Sequence, residues 1–253
     1  KNCAAERAGA RPEQTKKVIP SLEFRARQGE RGFADRRLLR GKQLRVPQRN
    51  KVLRRRESER KGDEHTMRKN FGAKPILYPQ PVLIIATYDE NGKPDAMNAA
   101  WGGTADEDKL FLCLSAGHKT TKNLLARRAF TVSVGTEQQL IPCDYVGTVS
   151  ANDVEDKFQK TGWHTEKSAF VDAPLIEELP LAFECELESY DEETGMLIGK
   201  VKNVCADERI LSDKGKIDPE KLSPITFDPV NNAYLRLGGK AGNAFRDGLQ
   251  LKQ

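Results

Sequence analysis

The sequence predicts a mainly β fold with peripheral helices, its strands closed into an antiparallel barrel. Two observations carry this. Residues 82–88, 96–101 and 109–114 form three extended runs around a Glu90-Asn91-Gly92-Lys93 turn. Residues 181–190 and 195–207 alternate apolar and polar side chains around Asp191-Glu192-Glu193-Thr194, the pattern of a long hairpin with a charged tip. Helical segments are short and lie between strands, so a barrel with helices outside it is the economical architecture.

Taken in order, 82–88 is a β-branched and aliphatic strand, and 96–101 returns from the turn. Gly102-Gly103 suits a bend before the strand at 109–114. A helix is expected over 121–128 and a strand over 129–135, where AFTVSVG alternates. Pro142 is read as a break, 144–150 as helical or turn-like, and 154–160 as a short helix ending near Gly162. The hairpin at 181–207 should complete the closed sheet. Beyond it, 211–224 is turn-rich, 225–227 is briefly extended and 234–237 is a last short strand.

Charge divides the chain. Residues 1–66 hold 20 Lys/Arg against 9 Asp/Glu, a net +11, while the rest is net −6. Only 11 large apolar residues occur in 1–66, about 17%, below the roughly 20% at which burial offsets chain entropy, so disorder is expected there. Met67 is the first methionine. The expectation is a domain over 67–253 starting at Met67, with 1–66 a non-native or leader segment. The competing reading makes Arg54-Arg55-Arg56 a nucleic-acid or acidic-surface arm, against which stands the lack of interleaved aromatic residues. A targeting peptide is disfavoured by scattered acidic residues and the missing apolar stretch.

No run approaches the roughly 18 apolar residues a membrane span requires, so a soluble protein is expected. Cys3, Cys113, Cys143, Cys185 and Cys205 are odd in number and lack a Cys-x-x-Cys pair, which fits a reducing cytoplasm. Cys113 and Cys143 read as small buried hydrophobes. His65, His118 and His164 have no second ligand at zinc-like spacing, so no metal is expected. The Gly-rich 237–242 stretch lacks the strand-then-helix setting of a dinucleotide fingerprint.

The chemistry concentrates after the third strand. Ser115, His118, Lys119, Thr120, Thr121 and Asn123 gather hydroxyls, an imidazole, an ammonium and an amide at a helix start, a composition suited to a phosphate. The plain alternative makes Lys119 and Lys122 solvated and one threonine an N-cap.

Pro81-Val82, Asn91-Gly92-Lys93, Asn98-Ala99-Ala100-Trp101-Gly102-Gly103 and 115–123 carry a resemblance. It continues in Asp144-Tyr145-Val146-Gly147 with Ser150, in Asp156-Lys157-Phe158, in 173–177 and in Glu184-Cys185. Over roughly 67–248 the chain resembles the flavin reductase-like family, which binds FMN in a split β-barrel, and its flavoredoxin-type branch in particular. The resemblance implies FMN as cofactor, NAD(P)H or a redox protein as electron donor, and a homodimer with the flavin near the subunit boundary. It implies that backbone N–H groups of Asn98, Ala99 and Ala100 face the polar ring edge, with Trp101 beside the cofactor or at a subunit contact; the alternative makes Trp101 ordinary core. Asp95 stands beside this segment with no clear direct role. Lys157 is expected to reach the phosphate or the N1–C2=O ring edge, against the alternative of a surface lysine. No catalytic acid, base or nucleophile is required, because the flavin carries the chemistry. An electron carrier without enzymatic activity is the second reading.

Overall fold

The computed structural model describes residues 67–252. The basic segment 1–66, with Cys3, His65 and the arginine run, lies outside the described residues, as does Gln253.

Seven strands form the main antiparallel sheet: β2 (Leu83–Tyr88), β3 (Pro94–Ala99), β4 (Gly102–Asp106), β5 (Lys109–Cys113), β6 (Ala129–Val134), β9 (Leu181–Tyr190) and β10 (Met196–Ala206). Their spatial order is β3-β2-β6-β9-β10-β5-β4. The two outermost strands, β3 and β4, are therefore consecutive in the chain and separated only by Ala100 and Trp101. Three peptide steps span at most about 11 Å, so the sheet curls until its free edges nearly meet. The seam is tight. A Cβ on Gly102 would lie 2.7 Å from Leu112 Cδ2 and 3.0 Å from Leu83 Cδ1, side chains from near opposite ends of the sheet order.

Smaller strands flank the barrel. β1 (Gln80–Pro81), β11 (Ile225–Asp228) and β12 (Ala233–Arg236) form a three-stranded sheet, and β7 (Thr165–Lys167) pairs with β8 (Pro174–Ile176). The helices are α1 (Lys119–Arg127), α2 (Leu140–Thr148), α3 (Lys157–Thr161) and α4 (Pro219–Leu222).

Strand β2 is buried on both faces, and its alternation separates two cores. Leu83 and Ile85 join Met97, Leu112, Phe130 and Leu197 in one cluster. Ile84 and Ala86 join Ala96, Cys143, Val146, Phe158 and Trp163 in the other, which binds α2 and α3 to the sheet. At roughly 25 cal/mol per Å² of apolar surface, this second core is what fixes the helices over β3.

Several expectations change. The run at 96–101 ends at Ala99, and Gly102–Asp106 is a further strand paired with β5. The helix expected at 144–150 begins at Leu140 and contains Pro142, since a first-turn proline gives up an N–H that has no intrahelical partner anyway. The Leu181–Tyr190 and Met196–Ala206 hairpin forms the middle of the sheet rather than its closing strands. Cys143 is buried as expected, but Cys113 is only half-buried.

Candidate functional site

A groove runs along the free edge of β3, between that strand, α2 and the start of α1. A 190 Å³ cleft is lined by Asn98, His118, Lys119, Thr120, Lys157 and the 146–151 segment, among others. A second 190 Å³ cavity shares Asn98, Gly147 and Thr148 with it and adds Ala100, Asp144 and Tyr234. A 50 Å³ recess shares Lys119 and Lys157 with the first cleft and is bordered by Asp95 and Asn123.

The edge itself supplies backbone groups. Ala96 O accepts a hydrogen bond from Lys157 Nζ at 2.8 Å, so the polar groups of Ala96 point away from β2. Alternation turns those of Asn98 the same way. The Asn98 side chain belongs to the wall: its Nδ2 donates to Cys143 O at 3.0 Å, tying β3 to α2.

His118 is the N-cap residue of α1, no side chain caps that helix, and its first turn holds no acidic residue. The first-turn N–H groups therefore have no intrahelical acceptor. Lys119 is half-buried and forms no ion pair with a described residue. Those N–H groups, the positive end of the helix dipole and a free ammonium make this end of the groove attractive to an anion.

Lys157 is neither a surface lysine nor a free cation. It is buried and paired with Asp95 Oδ1 at 3.5 Å. Burial lowers the pKa of its ammonium and the Asp95 carboxylate opposes that shift. Asp95 Oδ2 also accepts the Thr120 hydroxyl at 2.6 Å. Asp95, left without a direct role by sequence, thus holds two groove residues, and the Thr120 proton is committed to it.

The remaining residues divide. Asn123 is buried, and its Nδ2 has no partner among the described residues where the recess adjoins Lys119. The Thr121 hydroxyl is fully buried without a partner among the described residues and lines none of these three cavities. Ser115 is exposed outside them and accepts the Gly117 N–H at 3.4 Å. Ala99 is in the barrel core, and the same alternation turns its backbone groups toward Leu83 of β2, so the expected Ala99 N–H is not on the free edge. Trp101 is 53% exposed, which excludes the core alternative, and it lines none of the three cavities. Sequence reasoning missed Asp144 and Tyr234 as lining residues; Tyr234 donates to Asp144 Oδ1 at 2.7 Å. Among the described residues no three His, Cys, Asp or Glu side chains converge on a metal position, and no helix is long and apolar enough to cross a membrane.

A curled seven-stranded antiparallel sheet, open along one seam and grooved beside an edge strand, defines a split-barrel protein. The family model described as "Flavin reductase like domain" matches residues 76–219. The chain belongs to that family. Among solved structures it is similar to the flavoredoxin of Desulfovibrio vulgaris (Miyazaki F), with 33% identity and TM-score 0.69, covering 72% of this chain and 100% of that one. It is also similar to a flavoredoxin from Methanosarcina acetivorans, with 25% identity, TM-score 0.64, and 73% and 98% covered. An FMN-binding domain of a flavin reductases-like enzyme from Shewanella baltica OS155 shares the fold at 21% identity and TM-score 0.58, with 65% and 89% covered.

Proposed function

We propose that the chain binds FMN along the β3 edge and works as an oxidoreductase, passing electrons from NAD(P)H or a reduced redox protein through that flavin to an acceptor. The supporting observation is the convergence of an uncapped helix start, a Lys119 with no ion pair among the described residues and an open strand edge on one groove. When bound, FMN supplies the capacity to take up and release two electrons. Lys119 and the α1 N–H groups hold the phosphate, with His118 at the mouth and the unpartnered Asn123 amide as a further donor. Neither 190 Å³ cavity reaches the roughly 300 Å³ usual for a ligand site, so the cofactor spans both, its ring beside Asn98 and Ala100. Lys157 acts through Asp95, keeping the carboxylate neutralised and Thr120 in place.

The reading extends to a cytoplasmic homodimer in which the exposed Trp101, next to the barrel seam, lies at the subunit contact. It takes 67–253 as the functional domain and 1–66 as separable from it. Identifying the chromophore released from purified protein tests the cofactor: FMN supports the reading, while protein that stays colourless after FMN addition removes it.

A second reading, an electron carrier without direct nicotinamide chemistry, is favoured by the similarity to two flavoredoxins. Anaerobic mixing separates them. Prompt bleaching by NADH or NADPH supports the reductase, and bleaching only by a reduced redox protein supports the carrier.

A further inference from the structure

A 460 Å³ cavity lies apart from the groove and shares no lining residue with it. Three walls enclose it: 136–139 ahead of α2, 177–180 between β8 and β9, and a third built from 209–210 and 221–222. Hydrogen bonds join the walls in pairs. The Glu137 N–H donates to Ser223 O at 3.0 Å, and the Asp207 N–H donates to Pro180 O at 2.8 Å. The Trp163 indole donates to Gln139 Oε1 at 2.8 Å, while the N–H of the adjacent His164 donates to Glu178 Oε2 at 3.0 Å. The cavity is therefore shaped before any ligand arrives.

Its walls differ in charge. Arg209 and Lys221 stand on one and Glu177 and Glu178 on another, and no ion pair joins the two sets. Arg209 turns Nε and Nη2 to Asp207 Oδ2, at 2.9 and 2.7 Å, which leaves Nη1 without a partner among the described residues. Lys221 donates to Leu211 O at 2.5 Å and forms no ion pair with a described residue. Glu178 is committed to His164, whose Nδ1 lies 2.7 Å from Oε1, whereas Glu177 is exposed and unpaired among the described residues. The third wall is neutral. An indole only donates, so Gln139 meets Trp163 with Oε1 and keeps its amide N–H groups for other partners. Thr136 is 2% exposed and lines the cavity, and its hydroxyl makes no hydrogen bond to a described residue. Ile210 and Leu222, both buried in the cluster that holds Leu181, supply apolar surface.

We infer that this cavity is a second ligand site, which takes a small zwitterion of the amino-acid or dipeptide kind. The carboxylate lies toward Arg209 and Lys221, the ammonium toward Glu177, and an apolar side chain on Ile210 and Leu222. The Thr136 hydroxyl and the Gln139 amide are the remaining donors. A purely anionic ligand would face Glu177, and a purely cationic one would face Arg209 and Lys221, so a molecule carrying both signs is the one that suits both walls. The volume falls within the roughly 300–1,000 Å³ of small-molecule sites. The site is independent of the FMN reading, since it draws on none of the groove residues.

Isothermal titration calorimetry of the full chain at pH 7 tests this, with L-leucine and leucyl-leucine as probes beside their N-acetylated and C-amidated forms. At least one zwitterion should bind saturably, and blocking either end should weaken it about 10- to 100-fold, the value of one charge-assisted contact. Tighter leucine identifies a free amino acid as the ligand, and tighter leucyl-leucine identifies a peptide. Lys221→Ala should weaken the zwitterion by a similar factor while leaving the amidated form unchanged. Glu177→Gln should weaken it while leaving the acetylated form unchanged. Circular dichroism confirms folding, and if one variant does not fold the other is read alone. No saturable binding of either zwitterion, blocked forms that bind equally well, or full affinity in the folded variants overturns the inference. A parallel FMN titration reports on the groove alone, so either reading can fail while the other stands.

Discussion

Gly147 and Asn98 meet at van der Waals limits: a Cβ on Gly147 would lie 2.9 Å from the Cβ of Asn98. This contact lets α2 lie directly on the edge strand, and both residues line each of the two larger cavities of the groove. The helix has no room to accept a methyl group without moving. Gly147→Ala gains helix propensity but meets overpacking of about 1–3 kcal/mol, so a net loss of stability is expected. FMN affinity should fall with it, because α2 carries 146–148 of the groove wall. Thermal unfolding alongside flavin titration checks this; an unchanged midpoint and affinity would show that α2 adjusts freely.

Lys119 and Lys157 are both groove lysines, yet they should respond to mutation in opposite ways. Lys119 is half-buried and unpaired among the described residues, so Lys119→Ala should leave stability within about 0.5 kcal/mol of wild type. It should cost FMN about 10- to 100-fold in affinity through loss of a charge-assisted contact. Riboflavin, which has no phosphate, should bind as before. Equal loss for both flavins would place Lys119 away from the phosphate.

Lys157→Met should act on the fold. It leaves Asp95, 6% exposed, with the Thr120 hydroxyl as its remaining polar contact. Breaking a buried ion pair from one side costs about 3–5 kcal/mol, whereas removing both charges can be nearly neutral. The double variant Asp95→Asn/Lys157→Met should therefore recover much of the stability lost by Lys157→Met. Urea unfolding of the single and double variants measures the coupling; a Lys157→Met protein as stable as wild type would refute it.

The legible parts of this fold are those specified locally. The Leu181–Tyr190 and Met196–Ala206 hairpin could be read because its alternation and its turn sit together: Asp191 Oδ1 accepts the Glu193 and Thr194 N–H groups, and Gly195 takes φ +70°. By contrast, Gly102–Asp106 carries two glycines and little β propensity, and it becomes a strand by pairing with β5 at the seam. The 115–123 cluster was visible as composition, but a helix distributes side chains around its axis. Thr120, Thr121 and Asn123 turn inward while Lys119 borders the groove. Lys157 is 62 residues from Asp95 and Tyr234 is 90 from Asp144, so no local pattern announces either pair.

Two buried thiols make the fold sensitive to alkaline pH. Burial pushes Cys143 and Cys185 from an ordinary 9.0 up to about 12. Both are 0% exposed. With the folded pKa above the unfolded one, the native state keeps a proton that the unfolded chain has released between those values. The stabilisation is intact below pH 9 and is lost as pH rises toward 12. Each thiol should contribute a loss of about 1.4 kcal/mol by pH 10, one pKa unit above the unfolded value. Urea unfolding at pH 8 and pH 10 reads this difference, and Cys143→Ala should reduce it by that amount even if the variant is less stable at both values. A difference between the two pH values that is the same in wild type and Cys143→Ala would mean that the Cys143 thiol ionises in the folded protein as easily as in the unfolded chain.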